Sequence, residues 1–206
     1  MLKYCRLRPL WIVGLLTLLS GCANLNNSTT NVEWEAHQTR LATITQYQSV
    51  GKLGYISPQE RQSLNFQWQY SPTSSQLRMT TFLGQTVFNV VITPERAIAK
   101  TYDDQVVIDK SADDLIYRLT GLSIPIEQLN DWLLGLPTDA DSYQLNPTHT
   151  LATLSKKING KTWQLNYLSY QDVIVNGVAL PVPRKMKLIQ DQISINLVIT
   201  KWTLNP

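Results

Sequence analysis

Cysteine and histidine are scarce in this chain, and their positions exclude two kinds of site. Its 206 residues contain two cysteines, Cys5 and Cys22, and two histidines, His37 and His149. Both cysteines lie within the first 22 residues, so the folded part must hold itself together with an apolar core and not with an intrachain disulfide. Two distant histidines without a free thiol nearby provide neither the ligands of a zinc site nor a Cys–His catalytic pair.

Motifs of catalysis are also missing. The sequence contains no G-x-S-x-G, no H-E-x-x-H and no phosphate-binding glycine-rich loop. Acidic pairs occur in a turn, at a helix start and in a loop: Asp103-Asp104, Asp113-Asp114 and Asp139/Asp141. Because adjacent side chains point in different directions, these pairs are poor general acid–base partners. We therefore predict a protein that is not an enzyme and that needs no metal or cofactor.

No apolar run reaches the roughly 20 residues that a membrane-spanning helix takes. The run from Leu10 to Leu19 follows a basic segment and has the pattern of a secretory signal peptide. Its end, Leu19-Ser20-Gly21-Cys22, resembles the lipobox of bacterial lipoproteins, in which the cysteine is acylated. We predict that residues 1–21 are removed and that Cys22 carries lipid. The alternative is ordinary signal cleavage beside an incidental cysteine.

Excess positive charge is confined to that signal peptide. The whole chain has 18 basic and 15 acidic residues. Lys3, Arg6 and Arg8 lie in the predicted signal peptide, which contains no acid, so the remainder carries equal numbers of both signs. Without a basic cluster of domain size, we predict no nucleic-acid partner.

The segment 22–32 contains mostly asparagine, serine and threonine. Such a segment buries too little apolar surface to order itself, so we predict a flexible tether from the acylated Cys22. Its extended length after the cysteine is roughly 30 Å. Residues 33–206 have the length of a single domain.

The spacing of apolar residues predicts a mainly β domain that begins with a helix. Trp34, His37, Leu41 and Ile44 recur at helical spacing, and we interpret His37 as a packed ring and not a ligand. From Tyr47 the period changes to two. Because the connections are too short for crossover helices, the strands should form an antiparallel meander.

Two further helices interrupt the meander. Ser111 with Asp114 is typical of a helix start, and Gly121 is typical of a helix end. Pro125 opens the second helix as a first-turn proline, and Gly135 ends it. Each helix has an apolar stripe that we expect to pack on the sheet.

Two turns in the last third predict the pairing register of the strands. Asn159-Gly160 is a strong hairpin signal, and a second turn falls at residues 191–192. Both registers bring apolar residues together on one face. The predicted pairs include Leu154 with Leu165, Met186 with Leu197 and Leu188 with Ile195.

Aromatic and aliphatic residues accumulate on one face of the predicted sheet. Five tryptophans lie outside the signal peptide: Trp34, Trp68, Trp132, Trp163 and Trp202. Composition alone favours a well-filled core over a ligand cavity, and it leaves both possibilities open.

Several segments together resemble the LolB family of outer-membrane lipoprotein receptors. They follow one another in the family's order from about Trp34 to the end of the chain, behind the lipobox. They are 51–57, Phe82-Leu83-Gly84, Leu119-Thr120-Gly121 with Pro125 and Leu129, Trp132 to Pro137, Pro183 to Leu188, and Ile199 to Trp202. The resemblance implies an incomplete, unclosed antiparallel β-barrel with helices as a lid over an apolar cavity. The periplasmic carrier LolA shares this fold.

The resemblance also implies a function without chemistry. A monomeric receptor, anchored by lipid on the periplasmic face of the outer membrane of a Gram-negative bacterium, accepts lipoproteins from LolA and inserts them into that membrane. The residue after Cys22 is alanine, whereas aspartate there is associated with inner-membrane retention in such lipoproteins. Phe82, Leu83 and Gly84 would form a protruding loop for membrane insertion.

The alternation of the strands predicts which residues face the cargo. The predicted acyl-chain cavity consists of Phe66, Trp68, Met79, Phe88, Val90, Leu165, Met186 and Leu197 on strands, with Trp132 and Leu133 on the lid. Two other functions stay open: a lipocalin-like lipoprotein that binds or scavenges free lipid, and a structural envelope lipoprotein with a filled core.

Overall fold

The computed structural model describes residues 27–121, 124–158 and 160–205. Within these residues, strands account for most of the chain and three helices interrupt them. The elements in chain order are α1 (Trp34–Ala42), β1 (Gln46–Ile56), β2 (Arg61–Ser71), β3 (Ser74–Thr80), β4 (Thr86–Ile92), β5 (Ala97–Thr101), β6 (Val106–Asp109), α2 (Ala112–Thr120), α3 (Ile126–Leu134), β7 (Ser142–Leu145), β8 (Leu151–Ile158), β9 (Lys161–Val175), β10 (Val178–Gln190) and β11 (Ile193–Asn205).

All eleven strands belong to one antiparallel sheet, in the order β6-β5-β4-β3-β2-β1-β11-β10-β9-β8-β7. The edge strands β6 and β7, both within the described part of the chain, do not pair with each other, so the sheet curls without closing. Helices α2 and α3 lie in the connection between these edges and cover the inner face. The prediction of an unclosed antiparallel barrel, mainly β with α, is confirmed.

The two predicted registers, of β8 with β9 and of β10 with β11, are also confirmed. Leu154 lies opposite Leu165, and Met186 lies opposite Leu197. Asn159 itself lies outside the described residues. The sequence contains a second Asn-Gly pair, Asn176-Gly177, which our prediction overlooked. It forms the β9–β10 turn with positive φ at both residues, 52° and 77°.

The helix boundaries follow the predicted capping residues with one difference. Ser111 Oγ accepts a hydrogen bond from Asp114 N at 3.3 Å, and Gly121 ends α2 in the left-handed conformation. Gly135 ends α3 in the same way. Pro125 is the residue before α3 and not part of its first turn, because its ψ of 75° is not helical.

The connections between strands lie at two ends of the barrel. Because neighbouring strands are antiparallel, the connections 57–60, 81–85, 102–105 and 191–192 meet at one end, here called the upper end. The connections 72–73, 93–96, 146–150 and 176–177 meet at the opposite, lower end. Helix α1 also lies at the lower end, since it leads directly into the start of β1.

Buried apolar residues from the sheet and from all three helices form one core. They include Trp68, Trp132 and Trp163, each at most 2% exposed. His37 on α1 is buried among them beside the Trp34 ring, as predicted for a packed ring. No helix of the described residues has the length and apolar character needed to cross a bilayer.

The N-terminal segment differs from the prediction over part of its length. Residues 22–26 of the predicted tether lie outside the described residues. From residue 27 onward, however, the chain is held against the barrel, because Ser28 N donates to Tyr170 O at 2.8 Å and Val32 N donates to Thr148 O at 3.2 Å. The register of β9 with β8 ends at Asn166, so the continuing edge of β9 is open to this segment.

Candidate functional site

The most distinctive feature of the barrel is an apolar cavity between its inner face and the two helices α2 and α3. The cavity has a volume of about 320 Å³. Its wall comes from six strands, from both helices and from two of the connections. The lining residues are Leu53, Tyr55, Glu60, Gln62, Leu64, Phe66, Trp68, Leu77, Met79, Val87, Phe88, Ile116, Leu119, Thr120, Ile124, Ile126, Leu129, Leu133, Leu188, Ile195 and Leu197.

Six of the ten predicted cavity residues lie in this wall: Phe66, Trp68, Met79, Phe88, Leu133 and Leu197. The other four are buried side chains outside it: Val90, Trp132, Leu165 and Met186. Alternation identifies residues that face inward, but it does not say which part of the inner face the cavity occupies. Val90 and Met186 lie one inward position nearer the lower end than Phe88 and Leu188, which do line the cavity.

The remaining two differences have equally local causes. Leu165 lies on β9, beyond the last strand that contributes to the wall. The Trp132 side chain lies outside the cavity wall, and its indole Nε1 donates to the carbonyl oxygen of Thr138 at 2.9 Å. Both therefore belong to the core beside the cavity.

Several wall residues were missed, for different reasons. The alternation that predicted the other residues also applies to Leu53, Leu64 and Ile195, so the sequence could have identified these three. The sequence could not have identified Val87, because a bulge between β3 and β4 inserts this residue between the paired positions of Thr86 and Phe88. A bulge re-aims a side chain in a way that a strict period of two cannot show.

The few polar wall residues mark the opening of the cavity. Glu60 and Gln62 lie beside the β1–β2 connection, and Thr120 ends α2. The 57–60 connection belongs to the upper end, so the polar rim and the apolar interior together indicate an entrance at that end. No group of acidic, histidine or cysteine side chains among the described residues is arranged to hold a metal ion.

Hydrogen bonds attach the second half of α3 to the sheet. The Tyr47 hydroxyl donates to Asn130 O, and the Tyr167 hydroxyl donates to Trp132 O at 2.8 Å. Ser75 Oγ donates to the Asn130 side chain at 3.0 Å. Burial raises the pKa of Tyr167 well above its ordinary value of 10, so this hydroxyl keeps its proton and remains a donor.

The first half of α3 is instead linked to α2. Asp113 Oδ1 accepts a hydrogen bond from Ile126 N at 2.9 Å and caps the start of α3 in place of a side chain from Pro125. Burial of this carboxyl raises its pKa in spite of that hydrogen bond. The two helices therefore form one cover, which is attached to the sheet by hydrogen bonds on the side away from the entrance.

The loop 81–85 stands beside the entrance at the upper end. It is closed by hydrogen bonds from Thr81 N to Gln85 O at 2.8 Å and from Gly84 N to Thr81 O at 3.0 Å. Gly84 has a φ of 84°, which an L side chain rarely adopts. Phe82 and Leu83 are 84% and 72% exposed, so Leu83 does not fold back onto the sheet.

Comparison of the sequence with known protein families identifies the family of this chain. The family model "Outer membrane lipoprotein LolB" matches residues 45–202. The chain belongs to the LolB family. The protein named "Outer-membrane lipoprotein LolB" from Vibrio campbellii is 53% identical to this chain over 187 residues, which cover 91% of this chain and 92% of that protein. The relative from Pectobacterium atrosepticum is 31% identical over 202 residues, covering 95% and 96%.

Solved structures support the fold of the LolB-family chain independently of sequence. A LolA superfamily protein from Nitrosomonas europaea superimposes with a TM-score of 0.50 at 6% identity, covering 85% of this chain and 95% of that one. A DUF1329 family protein from Desulfovibrio piger gives a TM-score of 0.55 at 5% identity, covering 82% and 90%. At such low identity the likeness concerns the fold alone.

Membership of the LolB family places the chain at the outer membrane of a Gram-negative cell as a lipoprotein that serves lipoprotein localisation. The predicted signal peptide and Cys22 lie outside the described residues.

Proposed function

We propose that this LolB-family protein accepts lipoproteins from the periplasmic carrier LolA, holds their acyl chains in the apolar cavity and inserts them into the outer membrane. Acylated Cys22 anchors it to the periplasmic face of that membrane. One observation carries the proposal: the entrance of the cavity and the exposed apolar loop at Phe82 and Leu83 lie at the same end of the barrel.

The cost of exposing acyl chains to water explains why such a cavity is useful. Each methylene contributes about 0.8 kcal/mol, so one chain of ordinary length in water costs on the order of 10 kcal/mol. An apolar wall removes that cost by burial alone. The proposed transfer therefore runs downhill in affinity, from carrier to receptor to bilayer, and needs neither catalysis nor a nucleotide.

The size of the cavity suggests that the cover moves. A volume of about 320 Å³ is at the lower end of the range for small-molecule sites. We expect the α2–α3 cover to rise at the entrance when more than one chain enters. The hydrogen bonds of Tyr47 and Tyr167 hold the second half of α3, so the movement should occur in the second half of α2 and at the start of α3.

Capture of cargo from the carrier tests the proposal. A soluble Cys22→Ala form, directed to the periplasm, should take an acylated lipoprotein from a purified LolA complex. The same lipoprotein without its acyl chains serves as the control, and the soluble form should not capture it. A folded soluble form that captures no lipoprotein would refute the proposal. Uptake of free lipid without capture would favour the lipocalin-like alternative, and absence of both would favour a structural lipoprotein.

A further inference from the structure

The tip of the β9–β10 hairpin at the lower end is unusually apolar. Its eight residues, 173–180, contain no charged side chain, and six of them flank Asn176-Gly177 as valine, isoleucine, alanine or leucine. Ile174 is 67% exposed and Val178 is 54% exposed. Exposed hairpin turns are normally polar beyond their turn residues. This tip, defined here as residues 173–180, therefore exposes two apolar side chains, Ile174 and Val178, while Leu180 is buried in the core.

The tip lies beside the fixed part of the N-terminal segment. Asp172, immediately before the tip, accepts hydrogen bonds from Ser28 Oγ at 2.7 Å and from Thr30 Oγ1 at 2.8 Å. Ser28 N also donates to Tyr170 O at 2.8 Å. These three bonds, here called the clamp, attach residues 28–30 to β9 near the lower end.

The clamp limits how far the proposed anchor can be from the barrel. From Ser28 back to Cys22 the chain spans six residues, whose extended length is at most about 22 Å. Along β9, the turn at Asn176 is about 20 Å from Tyr170 and Lys161 at the upper end is about 30 Å away in the other direction. While the clamp holds and the barrel stands upright on the bilayer, the acyl chains of Cys22 can enter that bilayer when the lower end faces it but not when the upper end does.

We infer that the tip lies against the bilayer that holds the protein's own anchor, with Ile174 and Val178 in the headgroup region. The inference rests on the proposed acylation of Cys22. Three observations favour a lipid surface as the occupant: the absence of charge in the tip, its exposed β-branched side chains, and the short chain that leads from the clamp to the anchor. Amphipathic surfaces of this kind bind bilayers through buried apolar area, and a nearby lipid chain strengthens the attachment.

This orientation assigns different surroundings to the two ends of the barrel. The lower end rests on the membrane, and the entrance with Phe82 and Leu83 faces the aqueous side, where a soluble carrier arrives. For the loop 81–85 to touch the same membrane, the barrel must lie on its side or the clamp must open. If the bonds of Asn31 to His149 and of Val32 N to Thr148 O open with the clamp, residues 27–32 are freed. The leash then lengthens from at most about 22 Å to at most about 40 Å, counted from Cys22 to Glu33.

Site-specific fluorescence in vesicles tests the contact. The acylated protein has no free thiol outside the signal peptide, so a single introduced cysteine takes an environment-sensitive dye. We compare Ile174→Cys with Leu168→Cys, which is 60% exposed on the same strand and serves as the matched control. The full-length anchored protein is placed in vesicles of phosphatidylethanolamine and phosphatidylglycerol containing nitroxide-labelled lipid.

The nitroxide should quench the dye at position 174 roughly threefold more strongly than the dye at position 168. In a Ser28→Ala, Thr30→Val background, which removes the side-chain donors of the clamp, this difference should shrink. Equal quenching at both positions would overturn the contact, and an unchanged difference in that background would overturn the role of the clamp's two side-chain bonds. Burial of position 174 that requires an added protein would assign the tip to a protein partner and overturn the inference.

This assay contains neither carrier nor cargo, so its outcome does not depend on lipoprotein transfer. Flotation of the protein with the vesicles reports the acyl anchor separately. Protein that fails to float points to a failure of the proposed anchoring, whereas floating protein with equal quenching at both positions points to a failure of the inference alone.

Discussion

Leu83 is an exposed apolar side chain outside the core, and the proposed function gives it a role at the membrane. It is 72% exposed on a loop whose geometry Thr81 and Gly84 already fix through backbone hydrogen bonds. Burying one leucine stabilises by about 1.5–3 kcal/mol, which is too little to anchor a protein beside an acylated cysteine. In the proposed function, it is enough to hold the cavity entrance against a bilayer while cargo is released.

The substitution Leu83→Glu should therefore leave folding and acceptance from the carrier nearly intact and reduce delivery to membranes. Leu168→Glu, which alters another leucine that is 60% exposed, is the matched control and should deliver normally. Transfer of labelled lipoprotein from receptor to vesicles measures the difference. Normal delivery by Leu83→Glu, or failure already at acceptance, would contradict the role of this loop.

Gly51 is a second residue whose identity the structure requires. A Cβ atom there would overlap the carbonyl oxygen of Val198 and lie 2.9 Å from the ring of Phe66, where β1 and β11 approach each other at a bulge. We expect Gly51→Ala to lower the free energy of unfolding by about 1–3 kcal/mol.

Gly54→Ala is the control for that change, because its Cβ would meet only Asn196 Cβ at 3.9 Å. Denaturant unfolding of both variants measures the difference. Equal stabilities of the two variants would mean that the β1–β11 contact at Gly51 adjusts without cost.

His37 should make stability depend on pH. Burial, with a smaller effect of the Arg40 charge, lowers the pKa of His37 to about 4 from an ordinary value of 6.5. Between these values the unfolded chain binds a proton that the folded chain does not, so stability falls as the pH drops from 6.5 to 4. The loss from this group is less than about 3 kcal/mol.

Unfolding curves at a series of pH values check this expectation. In His37→Phe, the loss of stability between pH 6.5 and 4 should be smaller than in the unaltered protein. The same loss in both proteins would show that other groups cause the acid sensitivity.

At the scale of elements, the cover depends on one carboxyl. Asp113 on α2 accepts the hydrogen bond of Ile126 N and so joins the start of α3 to α2. Asp113→Ala should cost about 1 kcal/mol of unfolding free energy, because the N–H of Ile126 loses the carboxylate and keeps only its hydrogen bond to Ile124 O at 2.9 Å. Asp113→Asn should cost less, because its amide oxygen can accept the same bond and no charge is buried.

Hydrogen exchange at the start of α3 provides the local measurement. Protection of the amides there should fall in Asp113→Ala and be largely kept in Asp113→Asn. Unchanged protection in both variants would show that the start of α3 does not depend on α2, which would contradict a single cover.

The sequence allowed some elements to be predicted because their causes are local. The turn at 191–192 and the alternation around it determine that Met186 meets Leu197, and Ser111 and Gly121 determine the ends of α2. Val87 was missed because a bulge depends on two strands together. Val90 and Leu165 were assigned to the cavity because alternation cannot show where the helices leave space.

At the scale of the whole molecule, the N-terminal segment shows a further limit of prediction. Its composition predicts a free tether, and its own residues indeed offer little apolar surface. Its hydrogen-bond partners are the open edge of β9 and the carboxylate of Asp172. They lie in a part of the chain about 140 residues away. The orientation of the barrel at a membrane depends on such long-range contacts.

The central claim, that the cavity holds acyl chains, is tested most directly by photo-crosslinking. A lipoprotein whose acyl chains carry a diazirine is transferred from the carrier to the receptor, irradiated, and its adducts are located by mass spectrometry. The account predicts adducts on wall residues such as Leu64, Phe88, Leu119 and Leu133, and none on Leu168, an exposed leucine of the outer surface. Adducts confined to the outer surface, or a yield no higher than with non-acylated cargo, would contradict it.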